Sequence, residues 1–288
     1  MSYDVFTGAL RMFDSFQDDK NEVETLFRSH PSLKELEKRL SFSQIAGIGD
    51  TFSRACRLLT WLAAHVYHKG DYDSRLTNAI DLLDYSLDKG PESGINCLSL
   101  STALTEMCLS VGIFARRMSM MPLSPYDGDN HVVCEAWLPE EKRWVMLDPS
   151  YGGYLVDEAG RALSLLELRK LLGCQGEVGF SDGFHYNGDR NLDFEDVKEY
   201  YAKNLFYFKW LEVQTSDSDN VSGSRTLYLS PNGYDPVQSQ FACIEYKEKR
   251  FGSHPFFDRR KITLRQEKAV FCGEAALTAD PHWSEDTA

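Results

Sequence analysis

No stretch of this 288-residue chain approaches the run of about 18 apolar residues that a membrane-spanning helix requires. The N-terminus, MSYDVFTGALRMFDSFQDDK, is acidic and lacks the basic-then-apolar layout of a signal peptide. A cytoplasmic protein that does not engage membranes is therefore expected. Positive charge is also scarce. With 31 Lys and Arg against 44 Asp and Glu, the net charge is −13. This disfavours a nucleic-acid partner, because binding phosphates calls for a basic surface. The seven cysteines are an odd number and contain no C-x-x-C. A disulfide framework and a thiolate zinc site are both disfavoured, and neither metal nor cofactor is expected. What is present, 42% hydrophobic and 26% charged residues, is the balance of an ordinary globule of one or two domains.

The informative stretch runs from Gly94 to Tyr154. Asn96 is a good N-cap, able to accept from the free N–H groups of a first turn. Behind it Leu100, Leu104, Met107, Cys108 and Val111 recur at helical spacing, with Ser99, Thr102, Thr105 and Glu106 on the other side. Gly112 supplies a left-handed C-terminal stop. Cys97 then opens the helix on its apolar stripe. There the helix dipole and unpaired N–H groups favour a thiolate, and the same groups suit a developing oxyanion.

Ile113–Met121 reads as a strand, and His131–Leu138 with Arg143–Asp148 reads as a hairpin around Pro139–Lys142. A four-residue loop pairs Leu138 with Arg143 and Trp137 with Trp144. Opposite residues share a face, so His131, Val133, Glu135 and Trp137 lie with Trp144, Met146 and Asp148. Asp148 becomes the diagonal neighbour of His131. A turn of odd length would invert that parity.

The order Cys, His, acid, with G-I-N-C at 94–97, G-I-F-A-R at 112–116, N-H at 130–131 and W-V-M-L-D-P at 144–149, resembles the transglutaminase-like superfamily of papain-like cysteine enzymes. The resemblance covers Gly94–Tyr154, with spacings of 34 and 17 residues (131 − 97 and 148 − 131). It implies an α+β fold, helices on an antiparallel sheet with the nucleophile at a helix N-terminus, and a catalytic triad of Cys97, His131 and Asp148. The expected chemistry is nucleophilic attack by Cys97 on a peptide or protein amide, with His131 moving the proton and Asp148 orienting it. Hydrolysis of the resulting thioester is favoured, since water is the default acceptor. Acyl transfer (cross-linking or cyclisation) and a catalytically silent binding module are the alternatives.

The rest is read as one catalytic domain, 1–288: a helical front part (1–90), the transglutaminase-like core (91–172) and a mixed α/β extension (173–288). In the front part, short helices are expected near Glu22–Phe27 and Ser32–Leu40. A long one follows from a cap at Asp50 or Thr51 up to Gly70, and another spans Leu76–Leu87. Residues 173–192 read as a long loop of the kind that often forms lids. Asp193–Asn204 reads as a helix, Leu205–Val213, Arg225–Ser230 and Lys268–Cys272 as strands, and Thr215–Ser224 as a solvated loop.

Each of these residues also has a plainer reading. Cysteines are more often small buried hydrophobes than nucleophiles, and Cys108, Cys134 and Cys243 are read so. His65 and His68, three apart, are read as helix-end or surface residues rather than metal ligands. Asp127 and Asp129 rival Asp148 as orienter but suit a turn better. For substrate binding the expectations are Trp61, Tyr72, Tyr126, Glu135 and Tyr151, although core packing is the safer account of the first two.

Overall fold

The computed structural model describes residues 2–17, 23–72, 75–251, 263 and 267–284. In chain order the elements are α1 (Ser2–Met12), β1 (Leu26–Phe27), α2 (Pro31–Leu40), α3 (Phe42–Ala46), α4 (Thr51–His65), α5 (Ala79–Ser86) and α6 (Cys97–Ser110). Then come β2 (Ala115–Met121), β3 (His131–Leu138), β4 (Arg143–Leu147), β5 (Leu155–Val156), α7 (Leu165–Gly173), β6 (Gly179–Phe180) and α8 (Phe194–Asn204). The chain continues through β7 (Tyr207–Leu211), β8 (Val213–Gln214), β9 (Thr226–Leu229), α9 (Pro236–Phe251), β10 (Ala269–Phe271) and α10 (Glu274–Thr278).

Local chemistry sets most helix starts. Asp50, Asn78, Asn96, Ser164 and Asp193 each cap a helix by accepting from a first-turn N–H. The strands β10-β9-β7-β2-β3-β4 form one six-stranded sheet, antiparallel except for the β10–β9 pair. The fold is α+β. The hairpin register is Leu138↔Arg143, Trp137↔Trp144 and Glu135↔Met146, as the four-residue loop requires. Alternation along β3 divides the core. Cys134, Ala136 and Leu138 pack with α4, α5 and α6, whereas Val133 packs with α1, α7 and α8 on the other face.

Several local expectations give way to packing. Leu26–Phe27 is a strand parallel to β8 rather than part of a helix, and Glu22 lies outside the described residues. Val23, Thr25 and Phe27 are the buried positions, a period of two that suits a strand. Helix α4 ends at His65, not Gly70, because residues 67–69 run beside Ile95: Ile95 N–H donates to Tyr67 O (2.9 Å) and Lys69 N–H to Ile95 O (2.9 Å). Helix α9 carried no expectation, although Asp235 caps it and Pro236 opens it, and inside the 173–192 loop β6 pairs with β5. Helix α6 has no solvated side. Its Glu106 is 2% exposed and accepts from Ala79 N–H (3.1 Å), Ser216 Oγ (3.0 Å) and Asp217 N–H (2.9 Å). That contact also buries Ser216, so the loop Thr215–Ser224 is only partly solvated.

Candidate active site

Cys97 is the first residue of α6. Asn96 fixes it from both sides, accepting from Ser99 N–H (3.0 Å) through Oδ1 and donating Nδ2 to Tyr72 O (2.9 Å). First-turn N–H groups of a helix have no partner within it, so those of Cys97 and Leu98 are not used by α6 itself. Ser101 Oγ donates to Val132 O (2.8 Å), which ties the helix tip to the start of β3, and Val132 N–H donates to the Cys97 sulfur. By alternation His131 belongs to the sheet face away from α6. It reaches Cys97 because it is the first residue of β3, at the strand end where the helix tip sits.

His131 Nε2 lies 2.6 Å from Asp148 Oδ2, which leaves Nδ1 as the ring nitrogen for its hydrogen bond with Cys97. Asp148 is fully buried, and its Oδ1 accepts from Ser150 N–H at 2.9 Å. Tyr201 donates its hydroxyl to Oδ2. A tight turn presents this carboxylate: Asp148 N–H donates to Gly153 O (2.8 Å) and Gly153 N–H to Asp148 O (3.2 Å). Gly152 takes φ 56 there, and a Cβ on it would come within 2.9 Å of Ala63 Cβ. No other residue type fits that turn without strain. The rings of Tyr200, Tyr201 and Tyr151 surround His131 at 5.3, 5.9 and 6.2 Å between centroids.

The electrostatics follow from this packing. Burial pushes the Cys97 thiol up, but the hydrogen bonds of His131 and His68, the charge of His131 and the Val132 N–H together outweigh it and hold the thiol at about 6. Burial pushes His131 down, and the charge and hydrogen bond of Asp148, with those of Cys97, raise it to about 10. Burial would raise Asp148, yet the charge and hydrogen bond of His131 and the hydroxyl of Tyr201 keep it below the usual carboxylate range. The pair is therefore thiolate and imidazolium near neutral pH. By contrast Cys56, half-buried without a cationic neighbour of that strength, is pushed up by desolvation to about 12.

Cys97 and His131 open into a cleft of about 730 Å³. Tyr151, Tyr186 and Tyr200 line it, and so do the carboxylates Asp129, Asp193 and Asp196. Of the five side chains expected to contact substrate, only Tyr151 lines this cleft. Trp61 is held in the front core, stacked on His65 (4.6 Å) and edge-on to Phe42 (5.2 Å). Tyr72 lies against Tyr85 (5.2 Å) and serves Asn96 through its carbonyl. Tyr126 is half exposed and faces Tyr246. Glu135 shares the His131 face but sits 1% exposed in an ion pair with Arg116 (2.7 Å), and its other oxygen accepts from Leu165 N–H. Each is claimed by the core or by the surface outside the cleft. Asp127 and Asp129 both pair with Lys203 (3.1 and 3.0 Å), so neither orients His131.

His68, read from the sequence as a helix-end or surface residue, lines the cleft instead, and Tyr186, Tyr200 and Tyr201 carried no expectation. Tyr201 had a signal, since Val197 and Tyr201, four apart, share one face of α8 and are buried. Nothing local linked it to Asp148, 53 residues away. Among the described residues no cluster of three or more metal-ligating side chains occurs, and no helix is long and apolar enough to cross a membrane.

Residues 38–149 match the family model of the transglutaminase-like superfamily. No curated protein matches the chain. A solved structure from Cytophaga hutchinsonii, a candidate cysteine protease, is 16% identical over 52% of this chain and 49% of its own, with a TM-score of 0.33. This chain thus spans about half the length of that structure.

Proposed function

We propose that the protein is a cysteine-dependent hydrolase of peptide or protein amides, a reading supported by the match of residues 38–149 to the transglutaminase-like superfamily. The single observation that carries the reading is the Cys97–His131–Asp148 array at the floor of an open cleft. The Cys97 thiolate attacks the carbonyl carbon, forming a C–S bond while the π pair moves to oxygen. The backbone N–H of Cys97 stabilises that oxygen. As the pair returns, the C–N bond breaks and His131 gives its Nδ1 proton to the leaving nitrogen. Water then adds to the thioester, losing a proton to neutral His131, and the acid leaves with the thiolate restored. Asp148 keeps the proton-transfer nitrogen aimed at sulfur throughout and stabilises the imidazolium.

The whole chain acts as one catalytic unit in this reading, because His68 of the front part and Tyr186 and Tyr200 of the extension wall the same cleft. A reducing compartment such as the cytoplasm suits a nucleophile that must remain a thiol. Transfer of the acyl group to an amine is the second reading. It is favoured by Asp196 in the cleft lining, a carboxylate that would attract a protonated amine. A panel of peptide p-nitroanilides, assayed with and without a fluorescent primary amine, tests both. Release of free acid supports hydrolysis, and incorporation of the amine supports transfer. Equal turnover by Cys97→Ala and wild type would defeat both readings.

A further inference from the structure

The segment that follows α4 carries a second imidazole to the same sulfur. It lies against the approach to Cys97 because Gly94 leaves no room for a side chain: a Cβ there would sit 2.8 Å from Lys69 Cβ and 3.0 Å from Tyr67 O. The backbone of His68 points the other way, and the side chain of Asn187 takes both its groups. His68 N–H donates to Asn187 Oδ1 (2.7 Å), and Asn187 Nδ2 donates to His68 O (2.9 Å). The Tyr186 hydroxyl lies 2.9 Å from His68 Nδ1. Nδ1 is thus taken, so Nε2 is the ring nitrogen left for the hydrogen bond to Cys97, whose cleft His68 lines. The clamp comes from a loop 118 and 119 residues away in sequence.

His131 is already committed, with Nε2 on Asp148 and Nδ1 delivering the proton to the leaving group. The oxygen that becomes negative needs donors of its own. The N–H of Cys97 at the helix start is one. We propose that His68 Nε2–H is the other, a catalytic residue of the oxyanion site, with Tyr186 and Asn187 as its positioning residues. The Tyr186 hydroxyl donating to Nδ1 keeps the ring proton on Nε2 and so makes His68 a fixed donor. When sulfur bonds to the carbonyl carbon, the negative charge moves from sulfur to an oxygen one atom further on. The Nε2–H hydrogen bond follows the charge to that oxygen and returns to sulfur when the C=O bond re-forms. No proton changes hands at His68.

This inference rests on the acyl chemistry proposed above, and two probes of Cys97 keep the failures apart. Acylation by p-nitrophenyl acetate passes through an oxyanion, whereas alkylation by iodoacetamide does not. Both are followed across pH on the full chain, using the plateau rates. His68→Ala should lower acylation about a hundredfold while leaving alkylation within about threefold. His68→Gln, which offers an amide N–H in place of Nε2–H, should recover most of the loss. Tyr186→Phe should lower the ratio of acylation to alkylation several-fold. Acylation unchanged in His68→Ala, or an equal fall in both rates, would overturn the assignment. A wild-type protein alkylated at Cys97 but never acylated there would instead bring down the hydrolase reading, and this inference with it.

Discussion

Replacing His131 with alanine removes the cation that keeps Cys97 ionised while leaving the burial that opposes ionisation. In the native site the thiol is brought from an ordinary 9.0 to about 6. That difference corresponds to roughly 4 kcal/mol in favour of the thiolate. Without His131 the thiol should titrate at about 9 or above, the bonds from His68 and Val132 offsetting only part of the burial. The thiolate fraction at pH 7 would fall from about nine-tenths to about one per cent or less. A more basic thiolate is intrinsically more reactive, however, with a Brønsted slope of about 0.4–0.5. The rate at one neutral pH would therefore drop only several-fold, and the midpoint of the pH–rate curve is the sounder observable. Alkylation by iodoacetamide between pH 5 and 10, with peptide mapping to separate Cys97 from the other six thiols, should show that midpoint moving upward by more than two pH units. A midpoint that stays below pH 7 in His131→Ala would refute the ion pair. Turnover of the native enzyme should accordingly rise through about pH 6, where Cys97 loses its proton, and fall through about pH 10, where His131 does.

Asp148→Asn should draw the alkaline limb of the turnover profile down toward neutrality, because the negative charge that raises His131 is gone; the acid limb should move much less. Arg116→Ala, which strands Glu135 in the core, should cost about 3–5 kcal/mol in chemical denaturation. Arg116→Met combined with Glu135→Leu should recover most of that, since the pair is 1% exposed on both sides. Glu106 is held at about 7, with desolvation outweighing its three donors. Its folded value lies above the ordinary 4.5, so its contribution to stability is present below pH 4.5 and lost as pH rises through 7. Over that window the loss is roughly 3 kcal/mol. Glu106→Gln does not titrate, so the melting temperature of wild type minus that of the variant should be higher at pH 5 than at pH 8; a constant difference would show that Glu106 does not ionise in this range.

How much of this was legible beforehand depends on the range of the forces involved. Asn96 and Gly112 bound helix α6 through interactions within a few residues, and the four-residue turn after Leu138 sets the register that puts His131 and Asp148 on one face. Caps, turns and alternation act locally, so the chain by itself determined the nucleophile helix and the hairpin. It did not determine which polar residues those elements enclose. Glu135 had the right parity for the cleft, yet Arg116, drawn in beside Trp144 and Trp210, holds it inside the core. Glu106 stands on what periodicity marks as the polar side of α6, and packing against α5 and the 215–217 loop buried it. Trp61 went to the front core because Phe42 and His65 flank it there. His68 and Tyr201 reached the site only because α4 stops early and α8 folds over the sheet. These outcomes are set by competition among distant side chains for limited buried space and hydrogen-bond partners, and that competition exists only once the layers have come together.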